Sequence, residues 1–156
     1  MYLIRKANLI DLPTLLEFEQ SLIQAERPMD VTIKEGKISY YDIAAFIKDP
    51  MSEVLLIEHG NEIVASGYAQ IKKDRHYLKH DLQGYLGFMY VSEDHRGKGL
   101  NKRIVDNLIL WCKEKGVNEI RLAVYQENPS AIKAYEKAGF SKHLITMRLD
   151  ASDFEG

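Results

Sequence analysis

The chain has 156 residues, of which 46% are hydrophobic and 28% charged, with a formal net charge of -2 and an isoelectric point near 6.2. This composition is typical of one soluble globular domain, and no window offers the ~20 consecutive apolar residues that a membrane span needs. The mild acidity argues against a general attraction to nucleic acid or anionic lipid, so any binding of an anion must be local.

The cysteine content and the N-terminal sequence favour the cytoplasm. The single cysteine, Cys112, cannot form an internal disulfide, and its apolar neighbours predict a buried, inert thiol. The alternating segment Tyr2 to Lys6 is predicted to be a strand and lacks the basic start and apolar stretch of a secretory signal. We therefore expect a cytoplasmic protein.

The N-terminal third is predicted to contain two helices separated by a surface flap. Asp11 is predicted to be an N-cap, with Pro13 in the first turn. The spacing of the apolar residues that follow predicts a helix from Asp11 to Glu26. The polar segment Arg27 to Lys37 is irregular and is expected to form the flap. A shorter helix follows and is expected to end before Pro50.

Three strands are predicted in the middle of the chain. Glu53 to Glu58 and Glu62 to Lys72 are rich in β-forming residues, and the turn sequence between them predicts an antiparallel hairpin. Gly84 to Val91 is apolar almost throughout, so we expect a central strand that is covered on both faces. Gly87 inside it predicts a bulge or the close approach of a large neighbour.

The C-terminal half is predicted to alternate between helices and strands. From Leu100 apolar residues keep helical spacing for about 16 residues, and Gly116 stands where a left-handed helix cap is common. The remaining predicted elements are a strand at Glu119 to Val124, a helix at Pro129 to Ala138 and a last strand at Phe140 to Leu149. The expected order is β-α-α-β-β-β-α-β-α-β, with one domain over residues 1–150 and a polar tail over residues 151–156.

The segment Ser92 to Arg103 carries the strongest chemical signal. It joins a strand to a long helix, and Gly97 and Gly99 allow a ligand to approach the backbone closely. The first amides of a helix lack internal acceptors and concentrate positive potential, which suits a phosphate. Four basic side chains add to this potential: Arg96, Lys98, Lys102 and Arg103.

Two common phosphate-binding motifs do not fit this segment. A Walker loop requires a glycine, four residues, then glycine, lysine and serine or threonine, and that spacing is absent. The dinucleotide fingerprint requires glycine where this chain has Lys102. An ordinary helix start with solvated basic residues remains the alternative interpretation.

The sequence resembles the GCN5-related N-acetyltransferases in two places. Arg96 to Asn101 follows the family signature of arginine or glutamine, two residues, glycine, one residue, then glycine or alanine, except that Asn101 replaces the last small residue. Asn128 to Phe140 is similar to the late motif of the family. The resemblance covers nearly the whole chain and is weakest from Arg27 to Pro50, where members commonly differ according to acceptor.

The resemblance implies a single-domain α/β (α+β) fold with a mixed, mostly antiparallel six-stranded sheet flanked by about four helices. It implies an acyltransferase that moves an acetyl group from acetyl-CoA, its co-substrate, to a primary amine of a small molecule or a peptide by direct attack. Members of this family often dimerise, so it also implies a homodimer. No nucleic acid, membrane or metal is implied.

The resemblance also implies roles for individual residues. The arm of the co-substrate is expected to lie between the fourth and fifth strands, and Tyr135 is expected to donate a proton to the leaving thiolate. The cofactor-binding residues implied in this way are Met89, Tyr90, Val91, Arg96, Gly97, Lys98, Gly99, Asn101, Lys102 and Asn128.

Several points stay open at the level of sequence. The general base is not identified, and Glu93, Glu127 or a water relayed by tyrosine are the candidates. The aromatic, partly acidic segment Glu35 to Asp42 is expected to help form the acceptor pocket. His76 and His80 lack an obvious third metal ligand. A catalytically silent acyl-CoA sensor and a phosphate-binding module unrelated to coenzyme A are the alternatives to an enzyme.

Overall fold

Five strands and four α-helices form the fold in the computed structural model, which describes all residues, 1–156. The strands form one sheet in the order β1-β2-β3-β4-β5. They are β1 Tyr2–Lys6, β2 Ser52–His59, β3 Glu62–Lys73, β4 Leu82–Val91 and β5 Ile120–Arg121. The helices are α1 Leu12–Glu26, α2 Ile43–Lys48, α3 Leu100–Glu114 and α4 Pro129–Lys137. All strand pairs are antiparallel except β4 with β5, so the predicted mixed sheet is confirmed.

The predicted sixth strand is not formed, and this part of the prediction was wrong. Residues 141–150 have no regular secondary structure, and β5 is two residues long instead of the six predicted. Because β5 pairs with β4 only at Ile120 and Arg121, it offers too short an edge to template another strand. Four apolar side chains of the expected strand are 73% to 88% exposed: Leu144, Ile145, Met147 and Leu149.

The sheet separates two apolar clusters, one on each face. The larger cluster packs α3 on the sheet through Ile104, Val105 and Leu108, which are fully buried. The smaller one joins α1 and α2 to the other face through Leu15, Phe18, Ile43, Val54, Leu56, Tyr68 and Phe88. β4 contributes to both clusters, as its apolar sequence predicted, but β3 is the middle strand of the five, so the expectation that β4 is central was wrong.

The cysteine lies in the larger cluster. Cys112 is 0% exposed, and burial raises the pKa of its thiol to about 11. A thiol that stays protonated near neutral pH is a poor nucleophile, so the prediction of a buried, inert side chain is confirmed.

The start of α1 differs from its prediction because Asp11 has another partner. Its side chain makes no capping bond to α1. Both carboxylate oxygens instead accept from the Arg5 guanidinium at 2.8 Å, and Oδ2 also accepts from the amide of Asn8 at 2.8 Å. Arg5 reaches Glu58 on β2 as well, at 2.7 Å, so this ion pair ties the chain before α1 to the edge of the sheet.

Replacing Asp11 by asparagine is expected to lower the free energy of unfolding by roughly 2 kcal/mol at pH 7. A fully buried pair loses ~3–5 kcal/mol when one partner is removed, and Arg5, with a side chain 33% exposed, is screened in part. Thermal unfolding measures the change, which corresponds to ~4–8 °C in Tm. Asp81→Asn, at an exposed loop position, is the control.

The pH dependence of this loss follows from the pKa of Asp11, which the Arg5 hydrogen bond lowers. A carboxyl group with a lowered pKa stabilises the folded state above its unfolded value of ~3.9, and this contribution disappears as the pH falls below that value. The difference in Tm between wild type and Asp11→Asn should therefore shrink toward pH 3. A difference that stayed constant down to that pH would contradict this role.

None of the helices in the structure has the combination of length and apolar sequence that crossing a lipid bilayer requires.

Candidate active site

A β-bulge interrupts the pairing of β4 with β3 near the end of β4. Ser66 pairs with Tyr90 and Tyr68 pairs with Gly87, so Phe88 and Met89 together lie opposite the single residue between them on β3. Phe88 has a φ of 57°, the only positive value at a residue other than glycine. An extra residue of this kind bends a strand and reverses its side-chain phase.

The bulge was expected at Gly87, and the structure places it at the next two residues. A Cβ on Gly87 would lie 2.2 Å from a ring carbon of Tyr68. The glycine is therefore needed because the Tyr68 ring lies over it, which is the close approach of a large neighbour that the sequence left as an alternative.

Beyond the bulge, one edge of β4 is open. β5 pairs with β4 only at Gly84 and Tyr85, so the two strands separate before Val91. Ser92 donates to Val64 on β3 at 2.8 Å, and because antiparallel pairs alternate, the amide and carbonyl of Val91 face away from β3. The end of β4 thus presents the free amide of Val91, and a carbonyl that accepts only from the Arg96 side chain, on the side where β5 has diverged.

The turn that follows β4 exposes a run of unpaired amides. A short 3-10 turn over Glu93–His95 leads to Arg96, whose amide donates to Glu93 at 3.4 Å. The next amide with an acceptor is that of Arg103, which donates to Gly99 at 3.2 Å. The six consecutive amides of residues 97–102 donate to no acceptor in the chain. Such a run at the start of a 15-residue helix is a strong site for an anion.

The two glycines shape this turn. Gly97 and Gly99 have φ values of 77° and 75°, which side chains rarely tolerate. A Cβ built on either residue meets no atom within 4 Å, so open space lies over both. Gly99 is the N-cap of α3 and supplies no capping side chain, which leaves the helix amides free.

The basic residues around the turn have different partners. Arg96 donates from Nε to the Val91 carbonyl at 2.9 Å, and its guanidinium carbon lies 5.9 Å from the Tyr90 ring centre. Lys102 pairs with Asp106 at 2.6 Å on the exposed face of α3. Arg103 donates to the carbonyl of Tyr2 at 3.0 Å. Arg96 therefore joins the open end of β4 to the turn.

The preceding histidine also fixes the turn. His95 Nδ1 and the Tyr2 hydroxyl are 2.9 Å apart, and the two rings meet edge to face. This contact and the bond from Arg103 both anchor the turn to β1, so the run of amides is held between the sheet and α3.

α4 carries the other two predicted residues. Asn128 caps the helix through Oδ1, which accepts from Ala131 at 3.2 Å and leaves the side-chain NH2 group as a donor. The Tyr135 ring packs on the larger apolar cluster and meets Phe140 edge to face, with ring centres 5.9 Å apart. Its hydroxyl makes no hydrogen bond in the chain, and burial raises its pKa to about 12.

Of the residues singled out from sequence, those on β4 and in the turn are joined by the contacts of Arg96 with Val91 and Tyr90. Glu93 and Glu127 are both exposed. In the loop before β4, His80 lies 2.6 Å from Asp74, whose carboxylate also accepts from Gln83 at 2.9 Å, so His80 has a structural partner.

Sequence reasoning named the aromatic segment Glu35 to Asp42 but missed the carboxylates of α1 beside which its tyrosines lie. Glu19 is 1% exposed and accepts from the amides of Tyr40 and Tyr41 at 2.9 Å each. These bonds hold the segment that follows the flap against α1. Glu26 ends α1, and the pKa of its carboxyl is raised, first by burial. The proline and glycine of the flap signalled an irregular segment but not which carboxylates it would enclose.

Comparisons with known proteins agree with this geometry. The sequence model described as "Acetyltransferase (GNAT) family" matches residues 17–140. The uncharacterised N-acetyltransferase YobR of Bacillus subtilis (strain 168) is 39% identical over 61 residues, which are 39% of this chain and 25% of that protein. Glucosamine 6-phosphate N-acetyltransferase of Arabidopsis thaliana is 30% identical over 118 residues, which are 75% of this chain and 76% of that protein.

One solved structure shows the same fold. A predicted acetyltransferase with acetyl-CoA from Clostridium acetobutylicum superposes with a TM-score of 0.73 at 20% identity, over 100% of both chains. Four of the curated relatives are matched over only 25% to 41% of their own length.

Proposed function

Because the chain belongs to the acetyltransferase (GNAT) family, we propose that it transfers an acetyl group from acetyl-CoA to a primary amine of a small molecule or a peptide. The observation that carries this proposal is the run of six unpaired amides over residues 97–102. The diphosphate of coenzyme A is an anion of the right kind for a helix start with backbone donors. The open space over both glycines of the turn gives it room.

The open edge of β4 supports the second part of the proposal. An extended amide-containing arm pairs with free strand groups in the way an added strand does, and Val91 offers a free amide there, while its carbonyl already accepts from Arg96. Met89 and Tyr90 flank this edge on opposite faces of β4. The side-chain NH2 of Asn128 would donate to a carbonyl of the arm, and Lys98 and Asn101 would border the diphosphate.

The reaction is a direct transfer. The amine nitrogen attacks the thioester carbonyl carbon, the carbon–nitrogen bond forms, and the carbon–sulfur bond breaks to release a thiolate. Tyr135 would donate its phenolic proton to that thiolate. Positioning of amine and thioester can account for ~7–11 kcal/mol of the barrier in well-oriented cases, so no covalent enzyme intermediate is required.

Thiol release from acetyl-CoA in the presence of candidate amines tests the proposed activity. We expect release that depends on both enzyme and amine, and an acetylated product detectable by mass spectrometry. Calorimetry with acetyl-CoA separates the remaining outcomes. Tight binding without turnover for any amine, peptide or aminoglycoside would favour a sensor over an enzyme, and free nucleotides that bind as tightly as acetyl-CoA would favour an unrelated phosphate-binding module.

The cytoplasm and a homodimer are further parts of the proposal. A lone buried thiol fits a reducing compartment. The exposed apolar side chains of residues 144–149 favour burial against a second copy, which carries the same short β5 edge. Sedimentation of the full chain tests the dimer, and a single species with the mass of one chain at micromolar concentration would argue against it.

A further inference from the structure

The acidic region at the end of α1 is connected to the segment that leads into α4, the helix of the proposed proton donor Tyr135. Asp30, four residues after Glu26, accepts from the Tyr125 hydroxyl at 2.6 Å and from the Thr32 amide at 2.9 Å. Tyr125 lies just before α4, and its carbonyl accepts from the amide of Asn128 at 3.0 Å. These bonds connect the flap after α1 directly to the start of α4.

No cationic side chain of the structure neutralises the charge of Glu26. It forms no ion pair with a lysine, arginine or histidine of the chain, and its carboxyl is half-buried. Burial raises its pKa. A half-buried carboxylate without a cationic partner is suited to a cationic ligand.

The Tyr40 hydroxyl supplies a second, independent observation. It is the one buried side-chain oxygen or nitrogen in the chain without a hydrogen-bond partner. Burial raises the pKa of Tyr40, and the nearby Glu26 carboxylate raises it further. A buried hydroxyl without a partner costs stability, and because it lies within reach of the Glu26 carboxylate, both groups are available to one polar ligand.

The charge of Glu26 also acts on Tyr135. After burial, the Glu26 charge is the next cause that raises the pKa of Tyr135. The Glu26 carboxylate therefore acts electrostatically on the Tyr135 phenol, and the bond between Tyr125 and Asp30 links the flap to the segment before α4. Acyl transfer to an ammonium substrate requires one group that accepts a proton and one that donates a proton. Glu26 and Tyr135 are suited to these two roles.

We propose that Glu26 binds the ammonium group of the acceptor and removes its proton, with the Tyr40 hydroxyl completing the binding site. The inference rests on the proposed function and names the class of acceptor. Because Glu26 and Asp30 place two carboxylates here, the acceptor is a cationic amine without a phosphate or carboxylate close to the reacting nitrogen.

The protons balance in this scheme. Glu26 takes one proton from the ammonium, and the neutral amine attacks the thioester. The departing thiolate takes the proton of Tyr135, and the second proton lost by the nitrogen restores the phenol. Glu26 returns its proton to solvent, so each turnover yields the amide, coenzyme A and one free proton.

Glu26→Gln tests the proposal with Glu17→Gln, an exposed position on the same helix, as the matched control. With 1,4-diaminobutane as acceptor, we expect kcat/KM to fall about 10²-fold in Glu26→Gln, with the Kd for acetyl-CoA within a factor of about two. Glu17→Gln should match wild type. Unchanged kcat/KM in Glu26→Gln, in an enzyme that releases thiol, would overturn this inference and leave the proposed function intact.

The pH profile gives a readout that a structural role would not move. In wild type, kcat/KM should fall as the pH drops through the raised pKa of Glu26, because the protonated carboxyl cannot accept a proton. The titratable groups coupled to it electrostatically are Asp30, Tyr40, Tyr41, Tyr125 and Tyr135, and Arg27 acts on Tyr40. Glu26→Gln should lose this acidic limb, and a limb that is identical in the two proteins would contradict the assignment.

Tyr40→Phe separates ligand binding from folding. Removing a buried hydroxyl without a partner should leave Tm unchanged or raise it slightly. The KM for 1,4-diaminobutane should nevertheless rise about 5- to 10-fold, since one hydrogen bond to a charged group is lost. O-phosphoethanolamine should be a much poorer acceptor than ethanolamine. Equal KM values for wild type and Tyr40→Phe, or a preference for the phosphorylated amine, would overturn the proposal.

Discussion

Tyr135→Phe is expected to lower kcat at least about 10²-fold while leaving the Kd for acetyl-CoA within a factor of about two. The ring packs on the larger apolar cluster and against Phe140, and phenylalanine preserves these contacts. The hydroxyl makes no hydrogen bond in the chain, so its removal leaves no protein group without a partner. Only a step that uses the phenolic proton should become slower.

The pKa of Tyr135 fits the role of an acid. Because burial raises it to about 12, the phenol stays protonated at neutral pH and is ready to donate. An ordinary thiol has a pKa of ~8.5, so free thiolate would not draw this proton from the phenol in bulk water. The transfer must therefore occur while the carbon–sulfur bond breaks, in a positioned complex.

Steady-state kinetics together with calorimetry checks this prediction. Tyr77→Phe, which makes the same chemical change on an exposed loop side chain, is the matched control and should keep the wild-type kcat. Tyr135→Phe with wild-type turnover across the pH range would remove Tyr135 from the role of proton donor.

Gly99→Val is expected to weaken the binding of acetyl-CoA about 100-fold. The added side chain enters the open space above the turn, where the diphosphate is proposed to lie. The positive φ of 75° also strains a β-branched residue, which would shift the amides of the turn. Two lost hydrogen bonds to a charged group, each worth ~1.5–3 kcal/mol, are enough for a change of this size.

Gly116→Val provides a closely matched control for this prediction. Gly116 has a φ of 78° and open space around its Cβ position, but it follows the other end of α3. The two variants should lose similar amounts of Tm because they carry the same backbone strain. Calorimetry should show weaker binding only for Gly99→Val, and equal losses of affinity in the two variants would mean that strain, and not the diphosphate site, explains the effect.

Local sequence pattern predicted most of the fold. Helical spacing, the turn between β2 and β3, and the glycine after α3 each depend on neighbouring residues, so they are visible in a single sequence. The prediction of a sixth strand was wrong because a strand needs the edge of a partner strand, and the two residues of β5 do not provide one. The alternating pattern of residues 144–149 indicates that the segment favours a β-strand, but it does not show whether a partner strand is available.

The candidate site was predicted only in part, because a single sequence shows directly only those residues that are consecutive in it. The glycines and basic residues of the turn are consecutive, so their chemistry could be read directly from the sequence. Glu26 could not be found in this way, because an acid at the end of a helix usually faces solvent. Its environment is created by Tyr40, which the flap brings back beside α1, and by the bond between Asp30 and Tyr125, which lies just before α4.

A crystal structure of the chain with coenzyme A tests the central claim most directly. The diphosphate oxygens should lie about 3 Å from amide nitrogens between Gly97 and Lys102, with the arm along the open edge of β4 at Val91. A diphosphate bound elsewhere on the surface, or a turn whose amides are blocked in the presence of coenzyme A, would contradict the account.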